Sequence, residues 1–450
     1  MIFAQPSPPA MPITSITPPA ATKPVVISAT AESVYASARP KLLQIRTLLT
    51  AAGRQSTLGS GFLINAEGLA VTNYHVVSQY ALEPATYRME YAAPDGTRGA
   101  LKLLAIDVAN DLAVVQLDKT GYPFFEFNPR ALDGSLPKGE RLYAMGNPLD
   151  LGFTIVEGTY NSLVEKSYQD RIHFTGALNP GMSGGPTVSA DGHIVGVNVA
   201  KQIGGELVSF LVPARFAMAL IELAQKEPTR AWTSPEKTRL EISRQLFAWQ
   251  ADLYKNLGTQ GFRATAYGPY RAPEAVASWF TCWARTNAEQ VPKPRAIINS
   301  TNCNTKTGLF VANSLQTGSI ELSHSYAKSG DLNAFQFAAF ISKQFEIGWT
   351  GSGKKNLTQN QCVENFVAAS AANRPPLRVV WCARALREYE NLYNITVMAV
   401  TQDKSDEALI SKLAMSGVGY DNALLIGKQF IGAIEIAKDS SGAAGIEVKK

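Results

Sequence analysis

Apolar residues cluster at 59–64 and 69–77 on either side of Asn65-Ala66-Glu67-Gly68, whose residue types suit a hairpin turn. The pattern predicts strand, turn, strand, with His75 just past the second strand. A further apolar run, 112–117, follows Asp111 and reads as another strand, and so does the stretch around His173. The period then changes. Phe216, Leu220 and Leu223 give 214–225 one apolar face, and this helix stops before Pro228. A second helix opens at Ser234-Pro235-Glu236, which supplies a cap, a first-turn proline and an acid. Ile242, Leu246, Trp249, Leu253 and Leu257 continue it at helical spacing, and Gly258 can end it.

Beyond 260 the pattern mixes both periods. Strands are expected at 295–298, 308–312, 319–323, 377–382, 393–400 and 423–436, the last broken at Gly427. Helices are expected at 332–345, 361–371 and 406–415, with Ser405 capping the last. That is an α+β reading. Phe335, Phe337, Phe340 and Phe345 read as core. The segments around Cys282 and Cys382, Phe280-Thr281-Cys282-Trp283-Ala284-Arg285 and Val380-Trp381-Cys382-Ala383-Arg384, faintly echo one another.

The chain has 450 residues, too many for a single core. With 46% hydrophobic and 18% charged residues it reads as globular, and a net charge of +5 without a basic cluster gives no support for nucleic-acid binding. No apolar run is long enough to span a membrane. Residues 1–25 are rich in Pro, Ala, Ser and Thr and read as an extended, disordered tether. The first basic residue is Lys23, so no signal peptide is recognised at this start.

Cysteines occur only in the second half, at Cys282, Cys303, Cys362 and Cys382. Their long spacing, with no Cys-x-x-Cys pair, argues against zinc. Pairing of sequence neighbours would close two loops of similar size, but sequence cannot choose among the possible connectivities. An even number confined to one region favours an oxidising, extracytoplasmic compartment.

The chemistry concentrates in Asn179-Pro180-Gly181-Met182-Ser183-Gly184-Gly185-Pro186. Glycines around a serine allow a sharp turn that aims the amides of Gly181 and Ser183 at one point, where an oxyanion would sit. A serine hydroxyl needs a base. Of His75, His173, His193 and His324, only His75 has a strand-end setting that suits the role, and the other three read as surface or strand histidines. The base needs an orienting carboxylate. Asp111, at the mouth of the apolar strand, is preferred to Asp107, which belongs to the more polar Asp107-Val108-Ala109-Asn110. The order His, Asp, Ser is that of the chymotrypsin class.

Five ordered segments carry a resemblance: Gly59-Ser60-Gly61-Phe62, Thr72-Asn73-Tyr74-His75-Val76-Val77, Asp111-Leu112-Ala113-Val114, Gly146-Asn147-Pro148 with Gly158 and Ser162, and Asn179 to Pro186 with Gly196-Val197-Asn198-Val199-Ala200. On these the region resembles the HtrA/Deg protease domain. The resemblance implies an all-β, chymotrypsin-like double β-barrel over 26–227, with His75, Asp111 and Ser183 in the cleft. A helical linker at 228–259 and an α+β accessory region at 260–450 would follow, the latter resembling no family. Two departures stand out. Met182 replaces a residue that is usually polar, and no PDZ-like segment follows the protease-like region. The regulation that PDZ domains supply in that family is therefore not carried over, nor is its trimer, because the N-terminal segment differs.

By position, Ala177 should line the base of the primary pocket, with Asn198, Val199 and Ala200 and then Val208, Ser209 and Phe210 as walls. The absence of a basal carboxylate excludes a trypsin-like preference, leaving a small to medium apolar side chain. Lys201 lies near the rim. The expected activity is a serine endopeptidase acting on unfolded or extended polypeptides outside the cytoplasm, without metal or organic cofactor. Two other readings stay open: a chaperone-like polypeptide binder with a silent or gated site, and an interaction protein whose second half carries the main role.

Overall fold

The computed structural model describes residues 28–199, 208–226, 232, 234–275, 277–305, 307–345 and 355–437. The expected tether at 1–25 lies outside the described residues.

Helix α1 (Ala29–Ala38), capped by the Ser28 side chain, leads into the first sheet. Strands β1 (Leu42–Leu49), β2 (Arg54–Leu63), β3 (Leu69–Thr72), β4 (Tyr87–Ala92), β5 (Arg98–Asp107) and β6 (Leu112–Leu117) close into an antiparallel barrel. Helix α2 (Tyr74–Leu82) interrupts it after β3, and α3 (Pro129–Asp133) links it to the next barrel. That barrel is built from β7 (Arg141–Gly146), β8 (Thr154–Leu163), β9 (Ile172–Phe174), β10 (Pro186–Ser189), β11 (Ile194–Val199) and β12 (Ser209–Pro213). This is the chymotrypsin-like double barrel expected from the motifs. Closure removes the open strand edges, which is how a small all-β unit avoids unpaired backbone.

Helix α4 (Ala214–Lys226) packs on β5, β6 and β11, and so touches both barrels. Its buried face is Ala214, Ala217, Leu220, Ile221 and Ala224. Leu223, expected on that face, is exposed. Small residues at helical spacing let the helix lie close, which a count of large apolar residues misses.

Helix α5 (Pro235–Gln260) begins at the Ser234 cap, as its opening residues predict, and runs past Gly258 to a turn at Gly261. It is no simple linker. Gln245 accepts from the Val108 amide and donates to the Ile106 carbonyl, both at 2.8 Å, which bolts the helix to the first barrel. Ile242 and Leu246 join a core cluster that contains first-barrel residues such as Leu43, Tyr74 and Val115, together with Leu309, Val311, Leu386 and Leu392 from far down the chain. Leu253 and Leu257 belong to the core of the C-terminal region.

That region holds a hairpin, β13 (Phe262–Tyr267) with β14 (Tyr270–Ala275). A large antiparallel sheet follows, formed by β15 (Thr281–Thr286), β16 (Ala296–Asn304), β19 (Ile320–Ser329), β20 (Gln361–Val367), β21 (Leu377–Ala385), β22 (Leu392–Thr401) and β23 (Glu407–Gly419). Between β16 and β19 projects a two-stranded finger, β17 (Leu309–Ala312) and β18 (Leu315–Thr317). Helix α6 (Ala334–Gln344) covers one face of the sheet and α7 (Tyr420–Gly432) the other, and β24 (Glu435–Ile436) pairs with β14.

Three element assignments differ from the sequence reading. Residues 361–367 are an edge strand, not a helix. Every position is exposed, so no alternation marks it, and the Cys362–Cys382 bond and the Arg378–Glu364 ion pair hold it to β21. The expected helix at 406–415 is the central strand β23. Its good helix formers are overridden by burial on both faces, with Leu409, Leu413 and Met415 on one side and Ala408 and Ile410 on the other. The expected strand at 423–436 is mostly α7. Ala423, Ile426, Gly427 and Phe430 are its buried positions, a helical spacing hidden in a short apolar run. Of the phenylalanines expected in the core, Phe337 and Phe345 are buried, whereas Phe335 is 90% exposed.

Disulfides join Cys282 to Cys303 and Cys362 to Cys382, across β15–β16 and β20–β21. Each pins an edge strand to its neighbour, and a loop of this length is worth ~3 kcal/mol through the unfolded chain. The echoing segments around Cys282 and Cys382 occupy different places, one on an edge strand and one beside it.

His324 is a buried strand histidine, bonded to Ser411 Oγ and to the Pro273 carbonyl, each at 2.9 Å. Burial pushes its imidazole down to about 4, against the opposing pull of that carbonyl and of Glu274. An unfolded chain takes up this proton near its ordinary value, ~6.5. The stabilisation is therefore complete above ~6.5 and is lost as pH falls toward 4, by a total on the order of 3 kcal/mol. Denaturant midpoints across that window should show the decline, and His324→Gln should flatten it. An equal slope in the variant would remove His324 as the cause.

Candidate active site

The candidate residues sit on turns and element ends rather than at strand centres. Asn73 ends β3, and α2 begins at once, so His75 falls in its first turn. Asp111 sits between β5 and β6 with φ of 61°, a left-handed conformation that Asp and Asn tolerate better than most residues. Its carboxylate is used twice. Oδ1 accepts the His75 backbone amide at 2.9 Å, and Oδ2 lies 2.7 Å from His75 Nδ1. Its carbonyl accepts from Asn73 Nδ2 at 2.7 Å and from the Tyr74 amide at 3.2 Å. One residue thereby fixes both the backbone and the ring of the histidine. Asp107 instead accepts from Asn110 through backbone and side chain, as a turn residue, and its carboxyl is pushed up by burial.

Ser183 is buried on the loop before β10. Gly181 has φ of 95°, and a Cβ there would lie 2.4 Å from the Asn147 carbonyl, so only glycine fits the turn. Met182, the departure from the family pattern, is fully buried in the loop, and its amide donates to the Asn179 carbonyl at 3.0 Å. An apolar residue suits that position because it fills protein interior. Gly59 is the shared neighbour of the two halves: a Cβ there would meet Val76 at 2.5 Å and the Ser183 carbonyl at 3.0 Å.

Ser60 was not singled out beyond its motif, yet it ties the loop to the first barrel. Its amide donates to the Ser183 carbonyl at 2.8 Å and its hydroxyl to the Gly181 carbonyl at 2.7 Å. The hydroxyl also accepts from the Asn147 amide at 2.9 Å. The Gly-Ser-Gly setting at 59–61 was the available signal. Arg171 was also missed as a neighbour of the site. Its guanidinium is held below its ordinary range by burial, against the pull of Asp111, Asp107 and Asp170. A cation there supplies countercharge to the Asp111 carboxylate.

The pocket residues are less uniform. Ala177 is exposed. Asn198 is fully buried, with Nδ2 on the Met145 carbonyl at 2.9 Å and Oδ1 accepting from Thr187 at 2.5 Å, so its side chain braces the barrel. Val199 and Ser209 are buried, and Ser209 Oγ accepts from the Leu178 amide at 3.1 Å. Val208 is exposed, and Phe210 lies against the His173 ring at 6.4 Å. Ala200 and Lys201 lie outside the described residues. His193 pairs with Asp191 at 2.9 Å on the surface turn. Among the described residues, no cluster of His, Cys, Asp and Glu could hold a metal ion.

Sequence also gave no sign of what borders His75 from outside the barrels. Phe310, on the finger strand β17, meets the His75 ring edge-on, with centroids 6.0 Å apart. Tyr74 donates its hydroxyl to the Val311 carbonyl at 2.8 Å. An imidazole held by a carboxylate, with a serine on a glycine turn that shares Gly59 as a neighbour with the histidine helix, is equipment that nucleophilic acyl transfer uses.

Residues 59–197 match the model of the trypsin-like peptidase domain family. A Chlamydia muridarum protein named probable periplasmic serine endoprotease DegP-like is 31% identical over 177 residues, covering 38% of this chain and 34% of that protein. The like-named Rhizobium meliloti protein is 33% identical over 189 residues, 40% of this chain and 36% of its own. The putative serine protease HhoB of Synechocystis is 32% identical over 177 residues, 38% and 40% respectively. The chain thus spans between a third and two fifths of the length of these relatives. The solved serine endoprotease of Yersinia pestis is 25% identical and covers 45% of this chain and 69% of its own, with a TM-score of 0.39. Residues 59–197 thus match a trypsin-like peptidase domain and are similar to the corresponding part of DegP-like serine endoproteases.

Proposed function

We propose that the protein is a serine endopeptidase that cuts unfolded or extended polypeptides outside the cytoplasm. The observation that carries this reading is the double use of Asp111, which holds the His75 amide and Nδ1 together. With Nδ1–H bound to the carboxylate, Nε2 is the free base. Ser183 Oγ attacks the scissile carbonyl and passes its proton to His75 Nε2. The amides of Gly181 and Ser183 receive the oxyanion, and the imidazolium returns its proton to the leaving amine. Water repeats the cycle on the acyl-enzyme. The 209–210 backbone is already paired on both edges, with 173–174 and with Val199, so an extended substrate does not add as a strand there. The preferred residue before the cut is small to medium and apolar.

The compartment follows from two supports. Relatives are named probable periplasmic endoproteases, and two disulfides favour an oxidising setting. No described helix is long and apolar enough to cross a membrane. The test is digestion of an unfolded casein by the full chain, with sequencing of the products. Cuts after small and medium apolar residues are expected. Cuts dominated by Arg, Lys or acidic residues would contradict the pocket assignment, and binding without any cut would favour a polypeptide-holding module.

A further inference from the structure

The histidine helix α2 is the part of the protease fold that the C-terminal region touches most closely to the chemistry. It packs against β17 and α5. Strand alternation in β17 sends Leu309 and Val311 into the shared core, where both are buried. Phe310 and Ala312 are half-buried and pack against the same core. The Phe310 ring stands at 71° to the His75 ring with centroids 6.0 Å apart, and at 64° to the Tyr74 ring at 6.1 Å. The finger is tethered beside this contact, because the Tyr74 hydroxyl donates to the Val311 carbonyl. The two residues that Phe310 touches are adjacent in sequence, and the backbone after the aromatic is bonded to one of them.

We infer that Phe310 is a positioning residue for the His75 imidazole, contributed to the protease site by the C-terminal region. The inference rests on the serine-protease reading proposed above. Asp111 anchors the ring at Nδ1 alone, which leaves it free to swing about that bond. The imidazole side chain is still 29% exposed. An aromatic ring packed T-shaped against it limits that swing and so fixes the direction of Nε2. Edge-to-face geometry is favourable between such rings and depends on orientation, which a merely space-filling aliphatic group cannot reproduce. Phe310 touches the base and not the reacting atoms. Its effect should therefore fall on the chemical step rather than on substrate capture.

The experiment uses the full chain and a short peptide ester, with active sites counted by a fluorophosphonate so that rates are per competent site. Phe310→Ala should lower kcat about tenfold, the scale of a modest misplacement of a catalytic group, and leave KM within about twofold. Phe310→Leu, which restores bulk without a ring, should be nearly as slow as the alanine variant. Phe310→Tyr, which restores the edge, should recover most of the rate. Wild-type kcat in Phe310→Leu would reduce Phe310 to a filler and overturn the inference, as would a loss confined to KM. Equal turnover by wild type and Ser183→Ala would instead overturn the protease reading itself, and the inference with it.

Discussion

Turnover of unfolded casein should fall on the order of 10⁶-fold in Ser183→Ala, with the fold intact. The substitution removes one oxygen from a residue whose backbone is held by neighbours. Its carbonyl accepts the Ser60 amide, and the loop before it is fixed by Gly181. Those contacts are made by the backbone, which alanine keeps. Circular dichroism and the denaturant midpoint should therefore match the wild type, which separates loss of the nucleophile from loss of structure. What remains is attack by water near the oxyanion amides, which is slow because water is neither positioned nor activated. Casein turnover within tenfold of wild type would show that another group performs the cut.

The second large effect belongs to Asp111→Asn, expected to lower kcat ~10⁴-fold. Asparagine tolerates the φ of 61° at this position, so the backbone should survive the exchange. Its amide has a forced orientation. The atom facing the His75 backbone N–H must accept, so the asparagine oxygen takes the place of Oδ1. The NH₂ group then faces His75 Nδ1 and donates to it. Nδ1 must in turn be the acceptor, and the ring proton moves to Nε2. A base that already carries a proton at Nε2 cannot accept one from Ser183. The burst of acylation measured by stopped flow should vanish together with turnover. Asp107→Asn should change the rate little, because Asp107 serves the turn at Asn110. A larger loss at Asp107 than at Asp111 would reverse the assignment.

The double barrel was expected through the resemblance, and the candidate residues were legible because their signals are local. Glycines crowd Ser183, His75 follows a strand, and Asp111 stands at a strand mouth, although the helix that begins at Tyr74 was not expected. Each of these constraints acts within a few residues. The pocket was harder to read. Asn198 sits at a wall position, but its amide is consumed inside the barrel by Met145 and Thr187. Backbone placement alone does not reveal which way a side chain turns. In the C-terminal sheet, β23 was misread because its residues favour a helix in isolation, whereas neighbouring strands on both sides decide the outcome. The exposed edge strand β20 had no burial pattern to read. The contact between Phe310 and His75 had no local signal at all. It joins residues more than two hundred positions apart, and only the packed core that holds Tyr74 with Val311 creates it. The same core explains why the C-terminal region is more than an appendage: it buries one side of the histidine helix.

The most direct measurement is covalent labelling of the full chain with a fluorophosphonate, followed by peptide mapping. The account predicts a single adduct on Ser183, formed in the folded protein and abolished by heat denaturation and by His75→Ala. A folded protein that leaves Ser183 unlabelled, or carries the adduct on another serine, would contradict it.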